Sequence, residues 1–320
     1  MRRLLVKQPG PRTTVEDLGR RSVARFGVPP GGAFDALALR AANRLVGNPD
    51  DAAGLEMTLL GPNLEHAGDE PFALALVGTD VAAVRSRRGK KEPLPTHQAF
   101  LLEPGDVLRL AMPLRSARAW LAVSGGIDVP AVLGGRGTCV SGAFGGIEGR
   151  LLRAGDTLAV GPGRSVTSHT IWKDPASAPT GTTVLSLLPG PQIDAFEDNP
   201  IERLCDRTWK VAPSSDRVGV RLEPVPGEKP AGLRPPKGIA PEGTTLGAIQ
   251  VPPDGTPILL GPDRPVTGGY AKPALVARAH IGRLARLRPG ELLRFHPTTM
   301  SEAIEQECAR RDSLPVNRDG

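Results

Sequence analysis

The chain has 320 residues, enough to bury a full hydrophobic core in one lobe or two. Its 39 glycines and 34 prolines are interleaved with apolar runs such as LALALVG and VLRLAM, which predicts many short strands and tight turns rather than disorder. The formal charge of +6 is mild, and the basic cluster at residues 85–91 contains no aromatic residue, so we expect a solvated hairpin there and no nucleic-acid partner.

The cysteines and the N-terminus indicate the compartment. Cys139, Cys205 and Cys308 are scattered and form no CxxC pair, which argues against a zinc site or a disulfide framework and favours a reducing compartment. The first apolar stretch, LLV, ends at Lys7, too early for a signal peptide or an anchor. We therefore expect a soluble, cytoplasmic protein with no membrane partner.

The clearest helical pattern covers residues 34–46, FDALALRAANRLV. Apolar residues recur at i, i+3 and i+4, Asp35 stands where an N-cap belongs, and Gly47 and Pro49 follow as stop signals. The preceding GVPPGGAF also brings rigid backbone to a single carboxylate, as VPPDG does for Asp254. Asp35 is therefore a candidate for a polar site, although capping is the simpler interpretation.

Three turns share one pattern, namely EPGDVLRLAMP from 103, RAGDTLAVGPG from 153 and RPGELLRFHP from 288. Each places a glycine and an acid before an alternating strand, which is typical of closed or sandwiched β architecture. Residues 199–205 and 301–311 predict two further helices, the second with Thr299 and Glu302 as a capping box.

A long-range similarity links residues 125–146 to residues 247–269, both of which run from glycine through isoleucine and Val-Pro to an arginine and a glycine pair. It predicts two related β lobes. We predict an N-terminal lobe at 1–180 with one inserted helix, a C-terminal lobe at 184–300, and a helix and tail at 301–320. The polar segment 172–183 suits the lobe junction, and residues 224–243 predict a long loop that could act as a lid.

The chain has no GxxxxGK[ST], no GxSxG and no paired histidine spacing, so P-loop ATPase, serine hydrolase and zinc enzyme lose support and no metal is expected. What remains is a set of acids, arginines, one glutamine and the single tyrosine, held in stiffened bends. These groups suit a small substrate with amide and carboxylate groups. We predict as catalytic Asp35, Glu56, Asp216, Arg217 and Asp254, and as substrate-binding Asp17, Arg20, Gln250, Asp263, Thr267 and Tyr270.

Most of these candidates have a structural alternative. Asp17 and Arg20 could form a local ion pair, and Glu56, in an apolar run, needs a partner for which Arg20 is the obvious kind. Asp254 and Tyr270 could be turn residues only. The catalytic hypothesis requires that the bends at 27–35 and 251–255 form two rims of one site.

The motifs TTVEDLGR, FGVPPGGAFD, VSGGIDVP, GPQIDAF, SDRVGVRLE, GAIQVPPDGTPI and TGGY occur in this order in one family. Together they resemble the biotin-dependent carboxyltransferase-like family of allophanate hydrolase subunit 2 type, over about residues 4–305. The resemblance implies a mainly β fold of two cyclophilin-like β-barrel lobes with a few short helices. The chain departs from the family pattern at Gly32, Pro241 and Pro265, which leaves the fine substrate contacts open.

The resemblance implies a subunit of an ATP-dependent 5-oxoprolinase, which opens 5-oxoproline to glutamate with a subunit-1-type and a lactam-utilisation-type partner and is inactive alone. ATP would be shared with, or supplied through, the partners. Two alternatives stay open. One is a regulatory protein that binds and antagonises a kinase inhibitor, and the other is a carboxyltransferase that acts with carboxybiotin on a urea-type substrate.

Overall fold

The computed structural model describes residues 1–78, 82–111, 116–163, 170–176, 181–227 and 232–316. Parts of the predicted junction (177–180), of the predicted loop (228–231) and of the predicted tail (317–320) lie outside the described residues. The chain divides into two compact units. The first comprises Met1–Arg21, Gly31–Ser177 and Asp312–Gly320, and the second comprises Ser22–Pro30 and Ala178–Arg311.

In the first unit the described residues form eleven strands and one α-helix. The strands are β1 (Arg3–Gln8), β2 (Arg12–Glu16), β3 (Gly54–Thr58), β4 (Asn63–His66), β5 (Phe72–Val77), β6 (Ala83–Arg87), β7 (Lys90–Leu94), β8 (Ala99–Leu102), β9 (Val107–Leu110), β10 (Arg118–Val123) and β11 (Thr157–Ala159). The helix is α1 (Ala36–Leu45), as its apolar period predicts.

The strands of the first unit form two antiparallel sheets, ordered β11-β1-β4-β9-β6-β7 and β2-β3-β10-β5-β8. Inward side chains of both sheets share one apolar core. Every residue of β5 and β10 is buried, because α1 packs against these two strands. The basic cluster forms the β6–β7 hairpin, as predicted, and turns at Arg88 and Gly89, which both have positive φ.

The second unit contains three helices and a closed barrel. Its strands are β12 (Thr183–Pro189), β13 (Thr208–Val211), β14 (Gly219–Pro224), β15 (Glu242–Gly243), β16 (Ala248–Val251), β17 (Ile258–Leu260), β18 (Thr267–Gly268), β19 (Ala271–Val276) and β20 (Leu292–Pro297). Its helices are α2 (Pro200–Cys205), α3 (Ile281–Arg286) and α4 (Met300–Asp312). Seven strands close the barrel in the order β12-β19-β16-β17-β14-β13-β20, and β15 and β18 form a separate two-stranded ribbon.

The three predicted turns are confirmed and share one hydrogen-bonding scheme. In each, a glycine with positive φ precedes an acid whose side chain accepts the backbone N–H of the residue three positions earlier. The pairs are Asp106 with Glu103 (2.9 Å), Asp156 with Arg153 (2.7 Å) and Glu291 with Arg288 (3.0 Å), and the glycines are Gly105, Gly155 and Gly290.

The mainly β fold with few helices is therefore confirmed. The two similar segments differ in structure, since the described residues of 125–146 form only isolated bridges, whereas 247–269 carries β16, β17 and β18. Among the described residues, no helix combines the length and apolar character needed to cross a bilayer.

Candidate functional site

The predicted site residues fall into both units. Asp17, Arg20, Asp35 and Glu56 belong to the first, and the other seven belong to the second. Whether the bends at 27–35 and 251–255 face one site stays a prediction.

Asp17 and Arg20 fasten backbone. The carboxylate of Asp17 accepts the N–H groups of Gly19 (2.9 Å) and Arg136 (2.5 Å). The guanidinium of Arg20 donates to the carbonyls of Val132 (3.0 Å) and Gly137 (2.6 Å). These two described residues therefore bind the 132–137 segment instead of forming the local ion pair considered from the sequence.

Asp35 is the N-cap of α1. Its Oδ1 accepts the N–H groups of Leu37 (3.1 Å) and Ala38 (3.2 Å), and the side chain is buried. Capping satisfies N–H groups that have no partner inside the helix. The simpler interpretation of the GVPPGGAFD bend therefore accounts for this carboxylate.

Glu56 is a buried carboxylate on β3. Its Oε2 accepts the N–H of Phe34 (2.7 Å) and the indole N–H of Trp120 (2.9 Å), and its Oε1 lies 3.6 Å from Nε of Arg118. Arg20 as the partner is thus wrong. Trp120 pairs with Glu56 across β10 and β3, and Arg118, two residues earlier on β10, projects from the same face.

Asp216 and Asp254 are exposed and close turns as Asx-turn residues. Oδ1 of Asp216 accepts the N–H groups of Val218 (2.8 Å) and Gly219 (3.1 Å). Oδ1 of Asp254 accepts from Oγ1 (2.6 Å) and N–H (2.9 Å) of Thr256, and these bonds, the hydroxyl's first, hold the pKa of Asp254 below its ordinary value. A turn role therefore accounts for both carboxylates.

Arg217 and Asp263 form a two-pronged ion pair in the second unit. Nε and Nη2 of Arg217 lie 2.8 and 2.9 Å from the Asp263 carboxylate oxygens, and the arginine side chain is buried. The N–H of Asp263 donates to the Arg217 carbonyl. Because Asp263 begins the segment that enters β18, the pair fixes the approach to that strand.

Gln250 lies on β16, and its amide reaches β18. A Cβ placed on Gly268 would lie 2.4 Å from Nε2 of Gln250, so only a glycine leaves the amide this position. Gln250 is 5% exposed, and within the described part of the chain its Nε2 has no hydrogen-bond acceptor. A buried amide N–H without an acceptor is costly, so this one is available to a ligand.

Lys272 lies opposite Gln250. A bulge between Ile249 and Val251 leaves Gln250 facing Lys272 and Pro273 on β19, which also accommodates the proline inside a strand. Lys272 is 3% exposed, and its Nζ lies 2.8 Å from Oε1 of Glu242.

Glu242 reaches this lysine from the β15–β18 ribbon, where it pairs with Gly268. Nε2 of Gln192 donates to the same Oε1 (2.8 Å), and Oε1 of Gln192 accepts the N–H of Lys272 (3.1 Å). The hydrogen bonds from Lys272 and then Gln192 hold the pKa of the Glu242 carboxyl below its ordinary value.

Gln192, Gln250 and Lys272 thus form a set of N–H donors, the donor cluster, beneath the β15–β18 ribbon. Thr267 and Tyr270 are exposed beside it, the tyrosine at 43%. One cation and two amides suit an anionic or carbonyl-bearing small molecule. The structure therefore brings predicted residues Gln250, Thr267 and Tyr270 together, and Arg217 and Asp263 support them from behind.

Sequence reasoning missed Gln192, Glu242 and Lys272 as members of this cluster. Gln192 and Lys272 lie in or beside quoted motifs, GPQIDAF and TGGY, but nothing in the local pattern pairs them. Their contacts cross 50 and 80 residues of chain, and such pairing is set by the barrel register.

This barrel with a cationic, amide-lined cluster defines a β protein that binds small polar molecules. The chain belongs to the family described as carboxyltransferase domain, subdomain A and B, which it matches over residues 26–297.

Two relatives are each named as one of the subunits of a 5-oxoprolinase, and both names denote the same type of subunit. The one from Haemophilus influenzae is 32% identical over 92% of this chain and 91% of its own length. The one from Escherichia coli K12 is also 32% identical, over 97% of this chain and 94% of its own.

A solved structure, the Kluyveromyces lactis urea carboxylase, superposes with a TM-score of 0.87 at 30% identity over 99% of this chain. The chain covers only 29% of that larger chain, so it resembles one part of the enzyme.

Proposed function

We propose that this chain is a subunit of an ATP-dependent 5-oxoprolinase, in which it acts with a subunit-1-type and a lactam-utilisation-type partner and is inactive alone. The similarity to the two 5-oxoprolinase subunits extends over more than nine-tenths of this chain and of theirs. The observation that carries the proposal is the donor cluster, because 5-oxoproline is a small cyclic amide with a carboxylate.

The chemistry explains why one subunit would not suffice. A five-membered lactam is a stable amide, and phosphorylation of its oxygen makes the carbonyl carbon electrophilic enough for water to attack. ATP supplies that phosphoryl group when bound, and we assign its binding to the complex with the partners. The donor cluster of this chain would orient the lactam and stabilise charge that develops on its oxygen.

The test is reconstitution. The chain is co-expressed with its two partners, and glutamate formed from 5-oxoproline is measured with and without ATP. We expect ATP-dependent turnover by the trio and none by the chain alone. A soluble trio that forms no glutamate would refute the proposal.

The superposition on urea carboxylase favours a second candidate, a carboxyltransferase that uses carboxybiotin and a urea-type substrate. The biotin carrier would have to be a separate protein. Supplying urea, a carboxylated biotin carrier and the purified chain distinguishes the two, because only the second candidate predicts transfer of the carboxyl group.

A further inference from the structure

The Glu242 carboxylate occupies the position at which the donor cluster would hold a ligand. It accepts hydrogen bonds from Lys272 and Gln192, each at 2.8 Å, and its strand partner Gly268 abuts the amide of Gln250. Within the described chain, the three donors thus surround one carboxylate or lie next to it.

The two sides of this ion pair differ in their surroundings. The Lys272 side chain is 3% exposed on a barrel strand, whereas that of Glu242 is 43% exposed on a two-residue strand. Moving the exposed carboxylate into water costs little, but leaving the buried ammonium without a counter-ion costs much. Lys272 therefore requires an anion, and Glu242 is the partner that can be exchanged.

We propose that Lys272, Gln192 and Gln250 form a binding site for the carboxylate of a small amide ligand, and that Glu242 fills this site as an internal carboxylate until the ligand displaces it. The ligand's carboxylate takes the two hydrogen bonds of Glu242, and its amide carbonyl accepts from Nε2 of Gln250. The idea rests on the proposed function in naming 5-oxoproline as the ligand.

A site built this way selects for charge. An anionic lactam restores the counter-ion of Lys272, whereas a neutral lactam or urea would leave the ammonium dependent on Glu242. The site therefore prefers 5-oxoproline to 2-pyrrolidinone, which has the same ring without the carboxylate, and to urea.

Calorimetric titration of the full chain, alone and in the complex with its partners, tests this with 5-oxoproline, 2-pyrrolidinone and urea. We expect binding of 5-oxoproline only. Glu242→Ala removes the competitor and should lower the Kd for 5-oxoproline roughly tenfold, the change that one charge-assisted hydrogen bond makes. Lys272→Met should abolish measurable binding.

The matched controls come from a surface pair of the same residue types, Lys7 and Glu65, whose Nζ and Oε2 are 3.0 Å apart. Lys7→Met and Glu65→Gln should leave the Kd unchanged. Unchanged affinity in Lys272→Met, equal affinity for 2-pyrrolidinone, or weaker binding in Glu242→Ala would each overturn the inference. Circular dichroism of each variant separates a failed fold from a lost site.

The outcomes also separate this inference from the proposed function. Binding with the expected variant effects, but no glutamate from the reconstituted trio, removes the 5-oxoprolinase proposal and leaves the carboxylate site. Turnover that is unaffected by Lys272→Met removes the site and leaves the proposal.

Discussion

Glu56 illustrates how a buried carboxylate can be fully accounted for by its neighbours. Phe34 and Trp120 donate N–H groups to it and the Arg118 guanidinium supplies the opposite charge, which itself lies over the Phe34 ring. The sequence predicts that Glu56 needs an arginine, because an unpaired buried carboxylate is costly. It does not predict which arginine, because the strand register selects Arg118.

Replacing Glu56 by leucine should destabilise the protein by about 3–5 kcal/mol, since Arg118 would be left as a buried charge without its partner. Glu56→Gln, which keeps a hydrogen-bond acceptor, should lose less. Urea-induced unfolding measures both values. A catalytic role for Glu56 would show the opposite pattern, in which the glutamine variant keeps its stability and loses all turnover.

His280 makes stability depend on pH. Its Nδ1 accepts the N–H of Ser186 at 2.7 Å, and burial, followed by the charges of Arg283 and Arg310, lowers the pKa of His280 to about 4. An unfolded histidine has a pKa of about 6.5, so below that pH the unfolded state binds more protons.

The free energy of unfolding should therefore fall as the pH decreases from about 6.5 to about 4. His280→Asn should flatten this part of the profile, as measured by denaturant titrations at a series of pH values. The comparison variant is His97→Asn in the other unit. A profile that is equally steep in His280→Asn would contradict the assignment.

At the scale of elements, α1 depends on its cap. Asp35→Ala should cost about 1 kcal/mol, within a usual range of about 0.5–2, while Asp35→Asn should cost little because asparagine caps equally well. Asn199→Ala at α2, whose cap has the same geometry but is exposed, is the comparison. If Asp35→Asn is stable yet inactive, a catalytic role regains support.

The β15–β18 ribbon offers a matched pair of glycines. Gly268→Ala places a methyl group on the Gln250 amide, whereas Gly243→Ala on the partner strand meets no heavy atom within 4 Å. We expect Gly268→Ala to raise the KM for 5-oxoproline about tenfold with little loss of stability, because the atom it meets is the end of a movable side chain. Equal kinetics in the two variants would remove Gln250 from the site.

For the molecule as a whole, local patterns predict elements and long-range contacts decide the site. The α1 period, the three glycine-acid turns and the strand-rich composition are written in short stretches, and all are confirmed in the described residues. The Lys272–Glu242 pair joins β19 to a two-residue strand that has no periodic signal of its own. Such contacts follow from barrel closure, which no single stretch encodes.

The central claim is that the donor cluster binds the substrate of a 5-oxoprolinase complex. The most direct measurement is kcat/KM for ATP-dependent glutamate formation from 5-oxoproline by the reconstituted trio, with wild-type chain, Lys272→Met and Lys7→Met. We predict a loss of at least about thirtyfold for Lys272→Met, as expected when one partner of a buried charged contact is removed, and no change for Lys7→Met. Equal kcat/KM for all three would contradict the account.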